Sequence, residues 1–334
     1  MLLALSQGNL ANIGEYPLLG FPLLSMQPFW RSKLHEGWMS VAFAPDRLDF
    51  AHIHRREGKK PEVQLLSSYR RTGNDLEALC RLRKELGLSR YRCTALLRVG
   101  EYQLLQVEPP EMPAAEMKDA LRWRIKDMLN YPVEAATIDV LEIPADAGAL
   151  GRTKQAFAVA ANNALLAPRV EMFDAARLKL MVIDIPELAQ RNISALFEEE
   201  NRGLAMLTFD ESGVMLTFTF RGELYATRHT DIPLPQLEQS EGERREQLFE
   251  RIALEAQRSL DNFDRLNGHI SVTRLLVSSL PGVPGFLDYL RDYLSLPVVE
   301  LDLAEVLDFP SIPELSQATR QTQCLKALGA ALRD

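Results

Sequence analysis

Two stretches of the chain show the same order of apolar and polar patterns. From Trp38 to Val99, alternating apolar positions predict strands over 38–44, 47–54 and 62–70, then a helix over 74–87 and a strand over 92–99. From Gly203 to Ser278, the same reasoning predicts strands over 203–209, 213–220 and 223–230, a helix over 241–266 and a strand over 271–278. The repeated order indicates a duplicated architecture without obvious sequence identity.

The helix predicted over 241–266 carries the clearest periodicity in the chain. Ser240 followed by Glu243 matches a capping box, in which each side chain bonds an unpaired amide at the helix start. Gly268 follows the predicted end of the helix. One apolar face is expected from six residues at helical spacing: Phe249, Ile252, Ala253, Ala256, Leu260 and Phe263.

Residues 100–178 lie between the two copies and have a different pattern. It predicts a helix over 113–130, strands over 135–143 and 155–161, and a helix over 163–177, which together form a small α+β subdomain inserted in the first half. A strand over 179–185 then returns to the first sheet. We therefore expect an α/β chain with mixed sheets, a first domain over 36–200 and a second domain over 201–334.

Composition narrows the function classes. The 334 residues suffice for about two domains, and 46 acidic against 38 basic residues give a net charge of -8. This balance disfavours a general surface for nucleic acid or anionic membranes. Cys80, Cys93 and Cys324 are too few and too scattered for a disulfide framework or a zinc cluster.

The first 30 residues superficially suggest a signal peptide. They lack a basic start, and Gly, Asn, Glu and Pro interrupt their apolar positions. No run of residues approaches 18 consecutive apolar positions, so no membrane span is predicted. We expect a natural start at Met26, a poorly ordered extension over 1–35 and a cytoplasmic location.

Candidate catalytic and metal-binding residues are sparse. His52 and His54 would point to one face of their strand and could share a metal, but no third ligand has a suitable spacing, so a polar outer face is favoured. His229 near Asp231 lacks an accompanying nucleophile motif. The chain has no P-loop, no H-E-x-x-H and no G-x-G-x-x-G after a strand. We therefore predict no catalytic residue and no metal site.

Four short motifs, in this order, carry a resemblance to a known family. They are "AAEMKDALRWRIKDMLNYPVEAATID", "VIDIPELAQRNI", "LEAQRSLDNF" and "ALGAALR". The first contains Glu116, Trp123, Tyr131, Pro132 and Asp139. Together with the duplicated sheet and its insert, they resemble the PilM-like pilus biogenesis proteins of the actin-like ATPase superfamily, nearest to the MshI group of MSHA-type (mannose-sensitive haemagglutinin) pili. The resemblance implies a duplicated actin-like (RNase H-like) two-domain fold.

Actin-like ATPases hold phosphates with two hairpins that each supply an Asp and a Gly, and a Gly-Gly pair faces the adenosine. The aligned positions here are Ala42 and Ala44, then Thr208 and Asp210, then Ser278 and Ser279. All three motifs are degenerate, and Asp210 would place a negative charge beside phosphate; at ~4 Å and an effective dielectric near 20, the repulsion is roughly 4 kcal/mol. Asp46 and Asp210 could be displaced metal ligands, but turn aspartates are the favoured interpretation. No cofactor is expected, and residual ATP binding stays an alternative.

The resemblance implies a non-enzymatic cytoplasmic scaffold of a type IV, MSHA-like pilus assembly platform. Its partners would be the cytoplasmic tail of a bitopic inner-membrane PilN-like protein and other platform components, with no nucleic acid and with membrane contact only through partners. Two alternatives remain: an actin-like ATPase or kinase with an unconventional ATP pocket, and a GspL-like cytoplasmic component of type II secretion.

Trp123 is the main candidate for the partner surface. Met117, Leu121, Ile125 and Met128 recur at helical spacing and are expected to pack inward, which places Trp123 on the far side of that helix. Trp and Arg are enriched in binding hot spots, so the predicted partner residues are Trp123, Arg122, Arg124 and Tyr131. The alternative is that Trp123 packs under the strand over 135–143 or against the first sheet.

Overall fold

The structure is a computed structural model, and it describes residues 34–144 and 154–333. The predicted start at Met26 and the extension over 1–35 therefore lie outside the described residues, except for the last two positions. In the described part, no helix is both long enough and apolar enough to cross a membrane.

The first half and its insert contain eight strands and four helices in the described residues. The order is β1 (Trp38–Phe43), β2 (Arg47–His54), β3 (Glu62–Arg70), α1 (Asp75–Glu85), β4 (Arg92–Leu96), β5 (Tyr102–Val107), α2 (Ala114–Ile125), β6 (Ala136–Ile143), β7 (Gln155–Asn162), α3 (Asn163–Ala175), β8 (Lys179–Asp184) and α4 (Pro186–Phe197). β5, β7 and β6 form a separate three-stranded antiparallel sheet, which is the core of the inserted subdomain.

The second half continues with five strands and four helices. The order is β9 (Gly203–Asp210), β10 (Gly213–Phe220), β11 (Glu223–Thr230), α5 (Leu234–Gln239), α6 (Gly242–Asn267), β12 (Val272–Val277), α7 (Phe286–Tyr293), β13 (Val298–Glu300) and α8 (Ala318–Ala331). The predicted apolar face of α6 is confirmed, because five of its six residues are buried and Leu260 packs against the same core.

The two large sheets have the same topology. Their strand orders are β3-β2-β1-β4-β8 and β11-β10-β9-β12-β13. In each sheet, the first strand pairs antiparallel with the second and parallel with the strand that follows the helix. The predicted α/β fold, a duplicated mixed sheet with an α+β insert in the first half, is therefore confirmed.

Helices α4 and α8 lie between the two large sheets and join them. Gln190 of α4 donates from Nε2 to Met206 O at 2.8 Å and to Thr217 Oγ1 at 2.9 Å, both in the second sheet. From the first sheet, Ser40 Oγ donates to Ala327 O of α8 at 2.6 Å. Because these buried bonds satisfy polar groups from both halves, the two helices and two sheets pack as one unit.

Three sequence predictions are wrong in detail. β5 was not predicted, and its residues are mostly half-buried, so it lacks a clean alternation. α2 ends at Ile125 and a 3₁₀ turn, Lys126–Met128, follows it. Met128 is consequently 49% exposed instead of packed inward, whereas Met117, Leu121 and Ile125 are buried as expected.

The capping box before α6 is the third error. The helix begins at Gly242 and has no side-chain cap. Ser240 Oγ instead donates to Gln236 O at 2.5 Å, so this side chain bonds the last turn of α5. The unpredicted helix α5 ends directly before α6. Ser240 therefore forms its hydrogen bond at the end of α5 and does not cap the start of α6.

Candidate functional site

The turn of the β1–β2 hairpin and the turn of the β9–β10 hairpin line one cleft between the two halves. The cleft has a volume of about 480 Å³. Five of the six aligned nucleotide-pocket positions line it, namely Ala42, Ala44, Thr208, Asp210 and Ser278. Ser279 lines an adjoining pocket of about 140 Å³. The tertiary structure thus brings together two hairpins whose aligned positions the sequence separates by more than 160 residues.

The first hairpin presents a guanidinium group to the cleft. The turn is closed by Ala44 N, which donates to Arg47 O at 3.0 Å. Arg47 Nε donates to Asp49 Oδ2 at 2.9 Å, and its Nη1 lies 3.1 Å from Asp46 Oδ1 and 2.6 Å from Glu211 Oε1. Arg47 was not predicted as a site residue, because nothing in its local sequence shows that a carboxylate of the second hairpin lies opposite.

The second hairpin presents Asp210, which is fully engaged within the protein. Asp210 Oδ1 accepts hydrogen bonds from Ser212 N at 2.7 Å and from Ser212 Oγ at 2.5 Å. Its Oδ2 forms an ion pair with Lys326 of α8. Burial lowers the pKa of Lys326 to about 8, although the carboxylate of Glu187 opposes the shift. Asp210 therefore has the turn role expected of it and, in addition, a cationic partner from α8.

Two buried carboxylates lie where β8 passes into α4. Tyr102 OH donates to Glu187 Oε2 at 2.5 Å, and Arg333 Nη1 lies 2.5 Å from Asp184 Oδ2. Burial raises the pKa of Glu187 and of Asp184, and these partners only partly offset it. Neither carboxylate is among the residues that line the cleft. They join the insert and the C-terminal end of the chain to the start of α4.

Four of the aligned positions bear directly on whether the cleft could hold a magnesium–nucleotide phosphate group. The residues at the positions aligned with the phosphate hairpins are Ala42, Ala44, Thr208 and Asp210. Thr208 Oγ1 donates to Gln190 Oε1 at 2.5 Å. Among the described residues, no group of three His, Cys, Asp or Glu side chains is placed to hold a metal ion. One observation favours a ligand in the cleft: Ser278 Oγ is buried there without a hydrogen-bond partner among the described residues.

His52 and His54 were predicted to lie on a polar outer face of their strand, and the structure differs from this prediction for His52. His52 is only 2% exposed, its ring lies 4.7 Å from that of Tyr91, and its Nε2 lies 2.7 Å from Glu36 O. His54 is half-buried, and its Nε2 lies 3.3 Å from a carboxylate oxygen of Glu36. The prediction was wrong for His52, because the segment before β1 covers this part of the strand.

The four predicted partner residues occupy different environments. Trp123 is 71% exposed, and the amine of Lys126 lies 6.0 Å from the centre of its ring. Arg122 donates to Val133 O at 2.8 Å and Arg124 donates to Glu108 O, so both guanidinium groups bind backbone within the insert. Tyr131 packs on the core of the insert, with its hydroxyl buried. Trp123 and Arg124 are exposed, whereas Arg122 and Tyr131 are half-buried.

This architecture is similar to that of proteins of known structure. The chain superposes on PilM of a PilM–PilN type IV pilus biogenesis complex with a TM-score of 0.71 and 19% identity, over 89% of this chain and 98% of that one. The chain has the fold of PilM. This agrees with the fold implied by the four sequence motifs.

Two further structures are similar at lower scores. The cytoplasmic domain of EpsL, an inner-membrane component of the type II secretion system of Vibrio cholerae, gives a TM-score of 0.47 and 14% identity over 90% of this chain and 96% of that one. A Bacteroides thetaiotaomicron protein with an actin-like ATPase fold gives 0.48 and 11% identity over 88% and 98%. No family model matches the sequence, and no curated protein matches it.

Proposed function

We propose that this protein is a non-enzymatic scaffold of a type IV, MSHA-like pilus assembly platform. It lies on the cytoplasmic side of the inner membrane and binds the cytoplasmic tail of a bitopic PilN-like protein. The observation that carries the proposal is the match to PilM over nearly the full length of both chains. The order of the four PilM-like motifs in the sequence supports it independently.

The chemistry of the cleft supports a role without catalysis. Its central cations, Arg47 and Lys326, are each paired with carboxylates of the protein itself. A phosphoryl-transfer site needs cations and metal ligands directed at the transferring group. The residues in this cleft are instead directed at each other, and the net charge of -8 gives no support for a nucleic-acid partner.

A pull-down tests the scaffold proposal. The full chain, immobilised and exposed to detergent-solubilised membranes of its own source, is expected to retain a bitopic inner-membrane protein of the pilus platform, identified by mass spectrometry. A synthetic peptide of that protein's cytoplasmic tail should then bind the purified chain and compete with its capture. Retention of type II secretion proteins would favour the GspL-like alternative. Recovery of no platform protein would contradict the proposal.

The second candidate function is an actin-like ATPase or kinase with an unconventional pocket, and the unpartnered hydroxyl of Ser278 at the cleft favours it. We expect isothermal titration with Mg-ATP to show no binding up to millimolar concentration, because the phosphate-binding Asp and Gly positions are replaced. A Kd in the low micromolar range would overturn this expectation. Substitution of Ser278 by alanine would then show whether that hydroxyl contributes to the affinity.

A further inference from the structure

Two neighbouring acidic residues in the turn of the β9–β10 hairpin are each bound by a cation that the second sheet does not supply. Glu211 Oε1 lies 2.6 Å from Nη1 of Arg47, at the start of β2 in the first sheet. Asp210 forms an ion pair with Lys326 of α8. Both pairs lie among the residues that line the cleft, where the actin-like fold has its phosphate hairpins.

We propose that the pairs Arg47–Glu211 and Lys326–Asp210 form an internal latch that holds the two hairpins together across the cleft without a nucleotide. The latch is a conformational device of this chain. It depends on neither the pilus partner nor any enzymatic activity, so its test is independent of the proposed function.

The arginine of the latch is fixed before it reaches across the cleft. Its Nε donates to Asp49, which is 3% exposed and also accepts a hydrogen bond from Ser68. A planar guanidinium held through Nε on one carboxylate directs its Nη groups in a fixed direction, so little side-chain freedom is lost when Glu211 binds. The side chain of Arg47 is 14% exposed, so solvent screens this pair less than an ordinary surface pair.

The lysine of the latch is carried by a helix that is itself tied to the first sheet. Ala327 O, next to Lys326, accepts the buried hydrogen bond from Ser40 of β1. α8 also contacts the strand-end loop of the second half, because Thr322 Oγ1 donates to Ser279 O at 2.7 Å. The pair Lys326–Asp210 therefore connects the second hairpin to a helix that already bonds both halves.

A separate contact joins the halves elsewhere. Val63 N donates to Asp308 O at 2.7 Å, and Asp308 N donates to Pro61 O at 2.9 Å. A rotation of one half against the other would have to break this backbone contact or the latch. Phosphate oxygens entering between the hairpins would likewise meet Asp210 and Glu211, and would have to compete with them for Arg47 and Lys326.

Amide hydrogen exchange on the full chain tests the latch. In Glu211→Gln, exchange of the amides in both hairpin turns is expected to rise by about tenfold, the change expected when one charge-assisted hydrogen bond is lost. Lys326→Gln is expected to act in the same direction. The matched control is Asp46→Asn, which removes a carboxylate from the same arginine within one hairpin and is expected to leave the exchange of the second hairpin unchanged.

The exchange rates of the two variants distinguish a latch from two independent hairpins. Faster exchange of both turns in Glu211→Gln, with the control unchanged and both variants folded by circular dichroism, supports the latch. Exchange in Glu211→Gln equal to that of the unsubstituted chain overturns it, as does an equal increase in the Asp46→Asn control. Raising the salt concentration should accelerate exchange at both turns in the unsubstituted chain and have a smaller effect in Glu211→Gln.

Discussion

Replacing Gly329 by valine is expected to destabilise the protein by about 3 kcal/mol, at the upper end of the usual cost of overpacking. A Cβ at this position would lie 2.1 Å from Ala189 O, 2.6 Å from its carbonyl carbon and 3.1 Å from its Cα. These are backbone atoms of α4 and cannot rotate away. The two helices that join the halves of the molecule would have to separate, although a side chain would otherwise favour the helix over glycine.

The surrounding contacts make that separation costly. Asn192 Nδ2 of α4 donates to Gly329 O at 2.9 Å, and this buried bond would be strained or lost. Unfolding in urea, followed by circular dichroism, measures the change in free energy. Gly73→Val is the control, because a Cβ at this exposed glycine meets no atom within 4 Å. Equal midpoints for the two variants would show that α4 and α8 are not held at backbone contact.

Replacing Trp123 by alanine is expected to weaken binding of the partner's tail peptide by about 2 kcal/mol, which is roughly thirtyfold in Kd. The physical reason is the large exposed apolar area of this side chain. Trp123 is 71% exposed, and the opposite side of its helix buries Leu121 and Ile125 in the insert. A partner that covers the ring removes a large apolar surface from water without disturbing the fold.

Fluorescence anisotropy of a labelled tail peptide measures the affinity, and a melting curve shows whether the variant is folded. Leu165→Ala is the matched control, because this apolar side chain is also exposed, at 46%, and lies on a different helix, α3. An unchanged Kd in a well-folded Trp123→Ala removes this residue from the partner surface. A large fall in the melting temperature would instead assign it to the core.

Local pattern was sufficient for much of the fold. Apolar runs and the turn residues between them located β2, β3, β10 and β11 at their observed bounds, because hairpin turns favour residues such as Gly, Pro and Asp. The periodicity of α6 and the outward position of Trp123 were likewise readable, since a helix sets the direction of each side chain by its own geometry.

Other features depended on which segments meet. β5 is a half-buried edge strand without a clean alternation, and Met128 is exposed because α2 ends one turn early. Ser240 bonds an unpredicted helix, and His52 is covered by the segment before its own sheet.

The ion pairs of the cleft are the features that could least be predicted from the sequence. Arg47 lies in the first sheet and Glu211 in the second, and Lys326 reaches Asp210 from the last helix. No periodicity or short motif links residues so far apart in sequence. The sequence by itself determined the duplicated sheets, because they are encoded in local patterns and turn positions. Only the tertiary structure decided which charged groups meet in the cleft, because an ion pair forms where packing brings two side chains together in space.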